Sequence, residues 1–261
     1  MINLKDCTFL IPVYIDSEDR ISNLKLIIKY LTTNFDSNIL IGQQKNLNCV
    51  AQNHIDNPNV KFHEFDFGDI EFFHYSRLFN RLAIEAKTKC ISVYDTDVLF
   101  RTEQIERSYL EILKDRSDMV YPYDGHFFDV PKHYHKDVLE TLDLHKIDLT
   151  KCKLANPNSY GGCVFFNRSI FIKGGMSNEN IIKWGYEDNE RYFRFETLGY
   201  NLCRVSGPLY HFEHSRVANT PYYGKNLDVS DNGSAYSRIA NMTKEQLEQE
   251  VSSWSWCKDV K

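Results

Sequence analysis

Over its first hundred residues the chain alternates short apolar runs with amphipathic repeats, and this alternation limits the fold more tightly than any other feature. Residues 8–14 form an apolar, β-branched and aromatic run closed by Asp16-Ser17-Glu18-Asp19, after which Ile21, Leu24, Ile27, Ile28 and Leu31 recur at helical spacing. The short-strand signal returns at residues 38–42, 60–64 and 90–94, with Leu78, Leu82, Ala83 and Ala86 marking a helix before the last of them. Strands separated by helices cannot close as hairpins. The pattern therefore predicts an α/β fold with a mostly parallel central sheet flanked by helices.

Beyond Phe100 the order changes. A helix is predicted over 104–113, a strand over 119–121, a turn-rich crossing over 122–131 and a polar insertion ending near Asn158. A strand over 162–166, a Gly-Gly turn at 174–175, a helix over 188–198 and a strand over 202–205 follow. Residues 217–235 lack periodicity and are predicted to be a long surface loop, and Thr243-Lys244-Glu245-Gln246 forms a capping box that opens a last helix. No linker separates two units, so residues 1–261 are expected to form a single domain.

Composition narrows the class. Hydrophobic residues at 42% and aromatics at 14% exclude a disordered chain, and a formal charge of −5 argues against a nucleic-acid partner. Seven cysteines without a Cys-x-x-Cys pair disfavour a zinc ribbon or a disulfide framework. The apolar run at residues 9–13 is too short for a signal peptide or a transmembrane segment. These features point to a reducing compartment, the cytoplasm, with the cysteines as small core residues.

Three clusters could carry chemistry. Tyr94-Asp95-Thr96-Asp97 ends an apolar strand, where open α/β sheets bind ligands, and carboxylates two apart in extended chain could share one hard cation. The alternative is a solvated acidic turn. Trp184-Gly185-Tyr186-Glu187-Asp188 precedes a predicted helix; the acids could be plain first-turn capping, or a carboxylate beside an aromatic platform for a sugar ring. His211-Phe212-Glu213-His214-Ser215-Arg216 fits no helix-borne zinc order, but an imidazole could join carboxylates around manganese. Arg77 and Arg81 could clamp phosphate, and Pro12-Val13-Tyr14 could meet a base, although taken by themselves these residues are better explained as surface arginines and core packing.

Taken in order, these motifs resemble GT-A glycosyltransferases. Phe9-Leu10-Ile11-Pro12-Val13-Tyr14 with its acidic turn and Arg20 resembles family 2 enzymes. Phe79-Asn80-Arg81, Asp95-Thr96-Asp97, Gly161-Gly162, Trp184-Gly185-Tyr186-Glu187-Asp188 and His214-Ser215-Arg216 resemble the β-1,4-galactosyltransferase group and chondroitin-polymerase domains. Tyr186 departs from the glycine of that group, and Tyr210-His211 resembles the polymerase position of the metal histidine. Residues 133–158 match no motif of these enzymes.

The resemblance implies a metal-dependent inverting transfer of a hexose or N-acetylhexosamine, galactose or GalNAc favoured, from a UDP-sugar to a glycan or lipid-linked glycan acceptor. It implies Asp188 as catalytic base and Glu187 as the residue that orients acceptor or sugar. Mn2+ (or Mg2+) would be held by Asp97, His214, His211 and Asp95, with Asp95 reaching ribose or the metal shell. Pro12, Tyr14, Phe79, Arg81, Asp95 and Asp97 would bind the nucleotide, and Trp184, Gly185, Tyr186 and Gly162 the acceptor or sugar. Residues 1–100 would be the nucleotide-binding half and 101–261 the acceptor and metal half, with 217–235 a mobile lid. A cytoplasmic bacterial enzyme of polysaccharide biosynthesis, with peripheral contact at the inner face of the membrane, is the implied setting. The alternatives are a noncatalytic carbohydrate-binding module and a glycoside hydrolase using Glu187 and Asp188.

Overall fold

The computed structural model describes residues 1–47, 55–68, 70, 72–182, 185–215 and 230–260. In chain order the elements are β1 (Ile2–Val13), α1 (Glu18–Asn34), β2 (Phe35–Gln44), β3 (Val60–Phe65), α2 (Tyr75–Glu85) and β4 (Cys90–Tyr94). Then come β5 (Val98–Leu99), α3 (Thr102–Leu113), β6 (Met119–Tyr121), β7 (Phe127–Val130), α4 (His133–Thr141), β8 (Lys153–Asn156), β9 (Cys163–Asn167) and α5 (Arg168–Lys173). The chain finishes with α6 (Glu187–Thr197), β10 (Leu202–Arg204), β11 (Leu209–Phe212), α7 (Ser230–Ala240) and α8 (Lys244–Ser253).

Seven strands form the main sheet in the order β10-β6-β9-β4-β1-β2-β3, and β9 alone runs against its neighbours. The predicted mostly parallel sheet is therefore observed. Because β9 is reversed, its first residues lie at the same edge as the last residues of β1 and β4: Tyr94 pairs with Cys163, and the Asp95 amide donates to the Gly162 carbonyl at 2.9 Å. A second sheet, β5-β11-β7-β8, sits beside that edge. Its strands correct the sequence reading, which took 122–131 as a crossing without strand and saw no strand at 209–212. Both are four residues long and carry a polar residue, Asp129 or His211, which breaks the apolar signal.

Local chemistry explains the helices. Ser17 caps α1, its Oγ accepting from the Arg20 amide, and Ile21, Leu24, Ile27, Ile28 and Leu31 make the buried face. Thr243 and Gln246 close the expected capping box on α8. The first six residues of α7 (230–235) correct the last third of the predicted surface loop, and its residues 217–229 lie outside the described residues. No helix among the described residues is long and apolar enough to cross a membrane.

Phe9 anchors the core, edge-on to both Tyr94 and Phe165. Helix α6, which begins with Glu187 and Asp188, is fixed by a buried ion pair. Arg194 donates to Glu190 Oε1 at 2.7 Å, to the Met176 carbonyl at 2.7 Å and to the Gly174 carbonyl. A buried guanidinium is tolerated only when its donors are met, so α6 cannot rotate without orphaning a charge. The six described cysteines are free thiols, and Cys7, Cys90 and Cys163 are buried as small core residues.

Candidate active site

The chain turns at Thr96-Asp97 instead of continuing extended. The turn gives the two carboxylates different partners. Asp97 joins His211 and His214, one ligand atom from each lying within 4.8 Å of the others. His214 Nε2 stands 3.1 Å and His211 Nε2 3.9 Å from Asp97 Oδ2. Asp95 lies outside this cluster, its Oδ1 accepting from the Tyr75 hydroxyl.

Strand pairing builds the cluster. β5 runs antiparallel to β11, placing Val98 opposite His211, and the Phe212 amide donates to the Asp97 carbonyl at 2.7 Å. From β7, Asp129 Oδ1 accepts the Nδ1 hydrogen of His211 at 2.8 Å; His214 donates Nδ1–H to the Ser215 carbonyl at 3.0 Å. Both imidazoles are thus oriented with Nε2 toward Asp97. The segment after β11 is pinned to α1, since Asn23 donates to the Phe212 carbonyl at 3.0 Å and Asp19 accepts from the Ser215 amide at 2.8 Å. Lys132 and these Ser215 contacts hold the Asp19 carboxyl down at about 2. Burial would raise Asp97, but His214, His211 and Arg20 bring it down to about 2. The structure thus brings together both histidines that the sequence offered as competing ligands.

A second group of acids stands at the start of α6. Asp188 Oδ1 accepts from Arg191 Nη2, and a side chain at Gly161 would meet Asp188 Oδ2 at 2.7 Å. Glu187 Oε2 accepts from the Gly185 amide at 2.7 Å, tying the turn before α6 rather than capping the helix, which has no side-chain cap hydrogen bond. Burial and then the Asp188 charge push Glu187 up to about 7. Burial likewise raises Asp188, against the opposing charge and hydrogen bond of Arg191. Asp95 is raised well above the carboxylate range by burial and then by the charges of Asp97 and Asp188, which places the two acidic groups in one electrostatic neighbourhood.

The remaining expected residues divide. Tyr14 stacks on Phe73 at 5.7 Å, at the carboxyl end of β1, and Pro12 is buried within that strand opposite Gly42. Phe79 is fully buried and meets Tyr75 edge-on at 4.5 Å; it supports Tyr75 from the core, which corrects the expectation of direct nucleotide contact. Asn80 is also structural, bonding Ser177 and Glu179. Arg81 is half-buried, with no hydrogen bond or ion pair to the described residues. Gly162 has φ +86°, and a Cβ there would meet Leu209 at 2.5 Å, so its requirement is backbone geometry. Gly185 has open space around it, and Tyr186, in a left-handed conformation with φ 70°, stacks on Tyr236. Trp184 lies outside the described residues, as does Arg216.

The sequence reading missed Tyr75, Asp129 and Arg191. Tyr75 and Arg191 look like ordinary helix residues in sequence, and only the pairing of β7 with β11 brings Asp129 to His211.

Residues 144–215 match the family model described as the N-terminal domain of galactosyltransferase. The catalytic domain of Drosophila beta-1,4-galactosyltransferase 7 in complex with xylobiose superposes with a TM-score of 0.54 at 15% identity, over 94% of this chain and 84% of that one. The fold is that of a GT-A glycosyltransferase. A mutant of the same Drosophila enzyme, with manganese, UDP-Gal and xylobiose, gives 0.53 at 14% identity over 93% of this chain and 81% of that one. GalNAc-T7 with UDP, GalNAc and Mn2+ gives 0.59 at 14% identity over 95% of this chain, which spans 50% of that one. Among curated proteins, none matches the chain at a significant level. The family match over residues 144–215 and the shared fold point to the same group of proteins.

Proposed function

We propose that the chain is a metal-dependent inverting glycosyltransferase moving galactose or N-acetylgalactosamine from a UDP-sugar to a glycan hydroxyl. The observation that carries this reading is the Asp97–His211–His214 cluster at the carboxyl edge of the sheet, in the same electrostatic neighbourhood as Asp188. One carboxylate and two imidazoles oriented through Nδ1 are a donor set suited to manganese. A bound cation would supply Lewis-acid neutralisation of charge on the departing diphosphate. Structures of similar fold hold manganese with UDP-Gal, and UDP with GalNAc and Mn2+, which supports this donor class.

The chain's own residues supply the rest. Tyr14 and Phe73 offer a stacked aromatic edge for the nucleotide, and Arg81 is the cation assigned to it. Asp188 accepts the proton of the attacking hydroxyl while that oxygen bonds to the anomeric carbon and the bond to the diphosphate breaks, its electron pair leaving with UDP. Glu187 holds the turn from which Gly185 and Tyr186 meet the acceptor. Residues 1–100 serve the nucleotide and 101–261 the acceptor, and the buried free thiols support a cytoplasmic setting.

Paired-acid glycoside hydrolysis is less well supported, because Glu187 and Asp188 turn to different partners, Gly185 and Arg191, instead of facing each other across a cleft. The test is a screen of UDP-galactose, UDP-GalNAc and UDP-glucose for Mn2+-stimulated transfer to oligosaccharides, with product anomers assigned by NMR. Inverted products from a galactose-type donor are expected. Retained configuration would refute the role of Asp188, and cleavage of an oligosaccharide without any UDP-sugar would favour the hydrolase.

A further inference from the structure

We propose that Arg191 is a positioning residue that, with Gly161, selects Oδ2 of Asp188 as the oxygen that takes the proton. This rests on the reading of Asp188 as the base. Arg191 is one turn along α6 from Asp188, is 2% exposed, and donates from Nη2 to Oδ1. Asp188 is its only hydrogen-bonded carboxylate among the described residues. Arg191 Nε has no hydrogen-bond partner among the described residues, so rotating Asp188 away would take from the buried guanidinium the carboxylate that holds it, and the pair locks that carboxylate.

Oδ1 is thereby occupied, and Oδ2 is left in the space that a glycine keeps open. A Cβ at Gly161 would approach Oδ2 to 2.7 Å. The Gly161 peptide cannot easily retreat, because its carbonyl accepts from the Tyr123 hydroxyl at 2.6 Å and its amide donates to Ser159 Oγ at 3.2 Å. Of the other polar groups nearby, the Tyr75 hydroxyl is committed to Asp95 and Glu187 to the Gly185 amide, while the buried Tyr121 hydroxyl has no hydrogen-bond partner among the described residues. Arg191 thus holds Asp188 from one side while the 161 backbone bounds it from the other. The proton of an acceptor hydroxyl, or of water replacing it, passes to Oδ2 as the oxygen bonds to the anomeric carbon and UDP leaves with the electron pair.

The test measures UDP release from UDP-galactose and UDP-GalNAc with Mn2+ and water as acceptor, in the full chain and in Arg191→Gln, Arg191→Lys, Gly161→Ala and Asp188→Asn. Arg191→Gln and Gly161→Ala are expected to lose at least about tenfold in kcat with donor KM and UDP affinity within about threefold, and Arg191→Lys to recover part of the loss. A merely structural role would lower the melting temperature yet leave kcat of the folded protein unchanged, and that result overturns the proposal. Should Arg191→Gln not fold, Gly161→Ala carries the same test with the ion pair intact. An inactive Asp188→Asn beside fully active Arg191 and Gly161 variants would sink this inference alone. A fully active Asp188→Asn, or no UDP release by the wild type, would sink the reading beneath it.

Discussion

His211 donates its Nδ1 hydrogen to Asp129 across 2.8 Å, and the ring is thereby turned so that Nε2 faces Asp97. Such outer partners fix the tautomer and raise ligand basicity, and their loss typically costs about 10–100-fold in metal affinity. Asp129→Ala is therefore expected to weaken Mn2+ binding by about that factor while the fold persists, as measured by calorimetric titration of Mn2+. Wild-type affinity in this variant would remove Asp129 from the site.

Gly162 links the main sheet to the candidate active site. Its φ of +86° is a region that side chains resist, and a Cβ would stand 2.5 Å from Leu209 Cδ1. Gly162→Ala should cost about 2–4 kcal/mol of stability through backbone strain and overpacking together. Urea denaturation checks this, and a change under ~0.5 kcal/mol would mean that the backbone relaxes freely there.

Glu187 gives the folded protein a pH dependence with a definite sign. Its carboxyl is raised from 4.5 to about 7, so the folded state holds the proton more tightly than the unfolded chain. The stability it contributes is complete below pH 4.5 and is lost as pH rises through 7. At about 1.4 kcal/mol per pH unit this is on the order of 3 kcal/mol. Metal-free Glu187→Gln, whose amide oxygen can still accept from Gly185, should exceed wild type in stability at pH 8 and approach it at pH 4. Parallel pH profiles of thermal unfolding would show that Glu187 is not raised.

The elements that build the main sheet were legible because their signals are long and local. Residues 90–94 are a fully buried strand whose apolar run only Ser92 interrupts, and Ile21 to Leu31 keep helical spacing for three turns. The acids at 95, 97, 187 and 188 and the histidines at 211 and 214 stood out in the same way. What stayed hidden depends on long-range pairing. No local pattern tells that Asp129 meets His211, that Asp19 takes the Ser215 amide, or that Asp95 is bonded to Tyr75 while Asp97 turns to β11. Phe79 misled because a motif residue and a core residue look alike in sequence, and complete burial decides between them.

Calorimetric titration of UDP with and without Mn2+, in wild type and Asp97→Ala, most directly tests whether Asp97, His211 and His214 form a cation site that serves a sugar nucleotide. UDP binding is expected to require Mn2+ and to vanish in Asp97→Ala. UDP binding of equal strength without the cation, or none with it, would contradict it.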